Sequence, residues 1–130
     1  MDWIDLIGRA EFLRQLFPQA PSLQGLRLFE VNLHQDGPRV LLRFDLKAFP
    51  EHPPAKWVKE ANRVQVRLLG VGVQSLQIQG WTANNIVDLE VEAASPKGRR
   101  FVARGAGFSL EAVFDSLELT GVSAYCSTEA

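Results

Sequence analysis

Phe29-Glu30-Val31-Asn32-Leu33-His34, Gln35-Asp36-Gly37-Pro38 and Arg39-Val40-Leu41-Leu42-Arg43-Phe44-Asp45-Leu46 follow one another in the chain, and their reading decides the fold. In the first run Phe29, Val31 and Leu33 alternate with Glu30, Asn32 and His34, the period of a strand whose side chains point to opposite faces. Asp36-Gly37 favours positive φ and Pro38 lacks the N–H that a ladder needs, so the middle four residues read as a turn. Beyond it Val40, Leu42, Phe44 and Leu46 face one way. Arg39, Arg43 and Asp45 face the other, joined by Leu41. Two alternating runs about such a turn specify an antiparallel hairpin.

The same period governs the chain downstream. After the proline-rich loop Phe49-Pro50-Glu51-His52-Pro53-Pro54 and Ala55-Lys56-Trp57, strand signal resumes at Asn62, with Val64, Val66 and Leu68 inward and Arg63, Gln65 and Arg67 outward. Gly70 and Gly72 mark a bend or bulge. Leu76 and Ile78 then alternate with Ser75, Gln77 and Gln79 as far as Gly80-Trp81. Val87, Leu89 and Val91 alternate with Asp88, Glu90 and Glu92, and Ser95-Pro96-Lys97-Gly98 turns the chain. Phe101 and Ala103 alternate with Arg100 and Arg104, so an acidic and a basic strand face each other across a hairpin. Residues 108–125 read as two strands with a break near Asp115-Ser116, Tyr125 lying among their apolar positions.

Upstream, Ala10, Leu13, Leu16 and Phe17 recur at helical spacing, which predicts an amphipathic helix over Arg9–Phe17. Pro18 stops it, because the residue before proline disfavours the α region. Residues 3–7 are a short strand or a separate helical turn. The sum is a mainly β, α+β chain. It is an antiparallel sandwich or a strongly curved sheet of seven or eight strands, with one N-terminal helix covering an open face or end. No repeat, linker or low-complexity tract divides it, so residues 1–130 read as a single domain.

Composition narrows the function classes. A net charge of −1 excludes the strongly basic profile of a general nucleic-acid binder and the polyacidic profile of a nucleic-acid mimic. Cys126 is the one cysteine, which fits a reducing compartment. Met1-Asp2-Trp3-Ile4-Asp5 has no basic signal-peptide start, and no apolar run approaches the roughly 18 residues of a membrane span. The expected location is the cytoplasm, with neither membrane nor nucleic acid as partner. No motif fixes an oligomeric state.

Catalytic, metal and cofactor sites are not expected. His34 and Asp36 share a spacing used by metal ligands, but a strand-end polar pair beside a turn explains them. His52 lies in the proline loop. Gly70-Val71-Gly72 and Gly105-Ala106-Gly107 lack the third glycine and the following helix of a phosphate loop. Asp88, Glu90 and Glu92 line one strand face without the marks of a sugar cleft. Lys97, Arg99, Arg100 and Arg104 lack interleaved aromatics for base stacking. Trp3, Trp57 and Trp81 are expected in the core, Trp57 closing one end of it where Pro53 and Pro54 restrict the approach.

An ordered set of segments runs along the chain. Leu16-Phe17-Pro18 and Pro21-Ser22-Leu23 end the helix; Val31-Asn32-Leu33 leads to Asp36-Gly37-Pro38. Leu42-Arg43-Phe44-Asp45-Leu46 precedes Pro53-Pro54-Ala55-Lys56-Trp57. Asn62 with Val64-Gln65-Val66, then Gly80-Trp81, then Val122-Ser123-Ala124-Tyr125 complete the set, over roughly residues 10–125. This ordered set resembles immunity protein family fifty of bacterial polymorphic-toxin systems, and the resemblance implies a small non-enzymatic cytoplasmic protein that binds and neutralises a cognate secreted toxin domain. The alternative is a β-sandwich module for a carbohydrate or other small ligand, which requires exposed aromatics in a concave face. For a protein partner the outward charges are the candidates: Asp88, Glu90 and Glu92 first, then Arg39, Arg43, Asp45, Arg63 and Arg67. Trp57, Trp81, Pro53, Pro54 and Tyr125 are structural or anchoring candidates.

Overall fold

Six antiparallel strands carry the alternating runs in the computed structural model, which describes residues 2–127. They are β1 (Leu26–His34), β2 (Arg39–Leu46), β3 (Arg63–Gln79), β4 (Ile86–Ala93), β5 (Arg99–Gly105) and β6 (Phe108–Tyr125). The sheet closes as a barrel in the order β1-β2-β3-β6-β5-β4. Met1 and residues 128–130, included in the single-domain expectation, lie outside the described residues.

The count is six, not seven or eight, because the run expected to break near Asp115-Ser116 does not, and the run expected to bend or bulge at Gly70 and Gly72 does so within one strand. β3 passes through Gly70 and Gly72, and β6 passes through Asp115 and Ser116, with the two strands paired along nearly their whole length. Glycine permits the bend without ending the strand. A Cβ on Gly70 would lie 2.5 Å from the Phe114 ring, and Gly72 has φ +69°. Only glycine meets both demands cheaply. The chain thus turns its corner by curving two long strands, each shared by both halves of the barrel. Residues 64–71 of β3 pair with β2, residues 108–114 of β6 pair with β5, and β1 meets β4 at Leu26–Val87 and Arg27–Ile86. The result is one sheet closed on itself, in place of the two facing sheets of a sandwich.

The core sits inside this barrel. Phe44, Phe101, Phe114, Leu42, Leu68 and Leu110 are fully buried. Burying one such side chain contributes roughly 1.5–3 kcal/mol.

The N-terminal segment completes the wall. β5 starts pairing with β6 at Arg99–Phe114, which leaves the next part of β6 without a strand on that side. Gly8 takes that place: its N–H donates to Leu117 O at 2.8 Å, and its carbonyl accepts from Leu119 N at 2.9 Å. Arg99 Nε donates to Leu6 O. The backbone of Arg9 is consequently left-handed, φ 59°, and the helix α1 is shorter than expected, Glu11–Leu16. Its Leu13 and Leu16 are buried, and it ends at Phe17, before Pro18. Trp3–Leu6 is a 3-10 turn capped by Asp2. The Arg14 guanidinium, hydrogen-bonded to Asp2, holds that carboxyl down at about 2.

The tryptophans are less buried than expected. Trp57 is half-buried against the core, edge-on to Phe49. Trp3 is half-buried and its indole N–H donates to Pro21 O. Trp81 stays 45% exposed, edge-on to Phe108. Pro53 is exposed and Pro54 half-buried; Trp57 N–H donates to the Pro54 carbonyl, so the loop closes as a turn. No helix among the described residues is long and apolar enough to cross a membrane.

Candidate partner-binding surface

Alternation puts the odd-numbered residues of β2 and of the first half of β3 on the outside of the barrel. Arg43, Asp45, Arg63, Gln65 and Arg67 therefore share one outer face, where Arg43 lies opposite Arg67 and Asp45 opposite Gln65. β1 extends this face through Arg27, opposite Asp45, and β6 through Tyr125, opposite Arg63. Of the eight charged residues singled out in the sequence, four (Arg43, Asp45, Arg63 and Arg67) come together here. Arg39 lies exposed at the hairpin tip, and Asp88, Glu90 and Glu92 lie on β4.

Asp45 is the centre of the face. It points away from the core yet is only 7% exposed. Gln65 Nε2 donates to its Oδ1 at 3.3 Å, and the Tyr125 hydroxyl donates to its Oδ2. Burial, with the hydrogen bond to Asp45 and its negative charge, pushes the Tyr125 phenol up to about 12. The phenol is therefore a donor at any physiological pH. A phenol with a raised pKa favours the fold while protonated, so this contribution is complete below about 10 and lost as pH rises through about 12. Tyr125 is the chain's one tyrosine, so tyrosinate absorbance reports it alone. The titration midpoint should fall near 12 in the native protein and return to about 10 in denaturant. A native midpoint of about 10 would show that the Tyr125–Asp45 contact is absent in solution.

Phe29 is the second feature, and the sequence reading misplaced it. The β1–β2 register shifts between Leu28 and Glu30, so Phe29 is the extra residue of a β-bulge. It leaves the inward row of Val31 and Leu33, and its ring lies under two guanidinium groups: Arg27 at 5.8 Å and Arg43 at 5.4 Å. Arg43 also pairs with Glu30 at 3.1 Å. A cavity of about 210 Å³ opens beside Asp45, lined by Arg27, Phe29, Lys47, Arg63 and Tyr125 among others. That is room for one protruding side chain, below the roughly 300–1,000 Å³ of sites that enclose small molecules.

Among the described residues this face carries Arg27, Arg43, Lys47, Arg63 and Arg67 together with Glu30 and Asp45. Arginines directly opposite each other, as Arg43 and Arg67 are, destabilise a sheet slightly.

The acidic strand differs, because two of its three carboxylates, Asp88 and Glu92, have partners within the fold. Asp88 Oδ1 accepts from Gly25 N at 2.8 Å. Arg100 bridges Glu92 and Glu111, which holds the Glu111 carboxyl below the usual range. Between these charges Val102 points outward yet is only 1% exposed, opposite both Glu90 and Glu111.

Among the described residues no three His, Cys, Asp or Glu side chains are grouped so as to hold a metal ion. His34 is exposed at the end of β1, and Asp36 is exposed in the turn that follows. Arg27, Phe29 and Lys47 were not singled out from sequence. The signal for Phe29 was present: Leu26 and Leu28 are out of phase with Val31 and Leu33, and one inserted residue reconciles them.

A family model described as Immunity protein 50 matches residues 9–125. No curated protein and no solved structure matches the chain.

Proposed function

Since the chain belongs to the Immunity protein 50 family, we propose that it binds a cognate secreted toxin domain and neutralises it by direct contact in the cytoplasm, without a reaction of its own. The family match over nearly the whole chain is the observation that carries this reading. The outer face of β1, β2, β3 and β6 is the surface we assign to the contact. An interface of standard size takes about 800 Å² from each partner, about a tenth of this chain's 7612 Å², so one face is enough.

The chemistry of that face describes the partner. Clustered guanidinium groups recognise carboxylates through paired, planar hydrogen bonds, so the toxin domain presents an acidic patch. This reverses the ranking that the sequence suggests. Asp88 and Glu92 are tied to Gly25 and Arg100, whereas Lys47 and Arg67 of the arginine face are exposed and make no ion pair among the described residues. Complementary charge speeds encounter and rejects wrong partners by repulsion.

The test is co-expression in a susceptible cell with the toxin domain encoded beside this chain. Cells making both should survive, and cells making the toxin alone should die. Equal killing with both proteins produced and folded would sink the proposal.

A further inference from the structure

Among the described residues the second half of β3 has a strand on one side only. β2 stops pairing at Arg39–Val71, and the Pro38 carbonyl accepts from Gly72 N and Val73 N. Past that point β3 continues to Gln79 with β6 on its other edge. The register shift between Val73 and Ser75 makes Gln74 a bulged residue. Residues 75–79 are then a regular edge of five residues whose outward N–H and C=O groups meet no strand.

Exposed edges in natural proteins are blunted by charge, proline or a covering loop, because an open edge templates pairing with another chain. This one has neither charge nor proline: no charged residue stands between Arg67 and Asp88, and no proline between Pro54 and Pro96. It is also apolar on its inner side. Leu76 and Ile78 lie opposite the buried Ala112 and Leu110, yet Ile78 is 41% exposed because nothing covers it on the open side. Leu33, 57% exposed at the hairpin end, lines a cleft with Val40, Val73 and Leu76.

The pattern is complementary to itself. Antiparallel pairing about a two-fold axis at Gln77 places Leu76 against Ile78 of the other copy on the inner side. Ser75 then meets Gln79, and Gln77 meets Gln77, on the outer side. Apolar pairs with apolar, uncharged polar with uncharged polar, and no like charges oppose. The contact is isologous and closes at two copies. We propose that this edge pairs with the same edge of a second copy of this chain, giving a reversible two-fold dimer in which the two β3 strands are continuous across the axis. The short edge is below the area of a permanent dimer, so the dimer depends on concentration. It does not use the arginine face, and it stands or falls independently of the toxin reading.

Sedimentation of the full chain over a concentration series tests it, alongside Gln77→Lys, which sets two ammonium groups against each other on the axis. The wild-type mass should rise reversibly from 14.5 kDa towards twice that value. Gln77→Lys should weaken the dimer roughly fivefold or more with an unchanged circular dichroism spectrum, as expected for like charges directly opposed. In a Cys126→Ser background, Gln77→Cys should oxidise to a covalent dimer, since directly opposed strand residues lie within disulfide reach. A wild-type chain that remains monomeric up to millimolar concentration overturns the proposal, as does a dimer indifferent to Gln77→Lys. A monomer in which Gln77→Lys impairs only toxin binding also overturns it, and assigns the edge to a strand of the toxin.

Discussion

Phe114→Ala should lower the free energy of unfolding by about 3–5 kcal/mol, the range for a large core aromatic. Phe114 is fully buried at the point where β3 and β6 bend together. Its ring fills the space left by the absent side chain of Gly70. Removing it leaves a cavity at the corner of the barrel, between two long strands that cannot close over the gap without losing register. With a total stability of roughly 5–15 kcal/mol for a domain, that is a large fraction. Gly70→Val attacks the same contact from the other side by overpacking, and should cost about 1–3 kcal/mol or more. Urea unfolding followed by tryptophan fluorescence measures both. A loss under about 1 kcal/mol for Phe114→Ala, the scale of an ordinary surface change, would mean that the corner does not depend on this ring.

Reversing charge on the arginine face should have the largest effect on binding. Arg67→Glu combined with Lys47→Glu changes two exposed side chains. Arg67 makes no ion pair among the described residues and lies opposite Arg43, so its reversal replaces a like-charged cross-strand pair with an opposite one. The fold should be unchanged or slightly more stable, by a few tenths of a kcal/mol. Binding to the toxin domain should weaken by about 2–4 kcal/mol, roughly 30- to 1,000-fold, with much of the loss in association rate at low salt. The comparison is Asp88→Lys with Glu90→Lys, which changes the acidic strand. Titration calorimetry and stopped-flow association on both variants separate the surfaces. If the β4 variant loses affinity and the arginine-face variant keeps it, the contact lies on the other side of the barrel.

Both experiments bear on residues that differ in how openly the sequence declares them. Alternation at period two is a local property: each strand's own pattern of apolar and polar residues states which side is buried. For that reason Val40, Leu42, Phe44 and Leu46 could be assigned inward from the sequence, and they are buried. The hairpin turn over residues 35–38 and the stop at Pro18 were legible for the same reason, since glycine and proline act on their own backbone. The missed helix boundary shows the converse. Arg9 and Ala10 fit a helical pattern, but Gly8 is drawn into a bridge with Glu118, a residue 110 positions away.

Sequence alone thus determined most strand-forming segments and most of their inward residues, because these depend on neighbours within a few residues. The tertiary structure decided what depends on distant ones. The bend expected at Gly70 and Gly72 became the corner of the barrel through Phe114, packed against Gly70 from another strand. Whether Phe29 joins the core or the surface was settled by the β1–β2 register, which needs an extra residue there to bring Leu28 and Val31 both inward. Asp45, on an outward position, became buried because Gln65 from β3 and Tyr125 from β6 reach over it. Burial at that position is a property of three strands at once, and no single strand's alternation contains it.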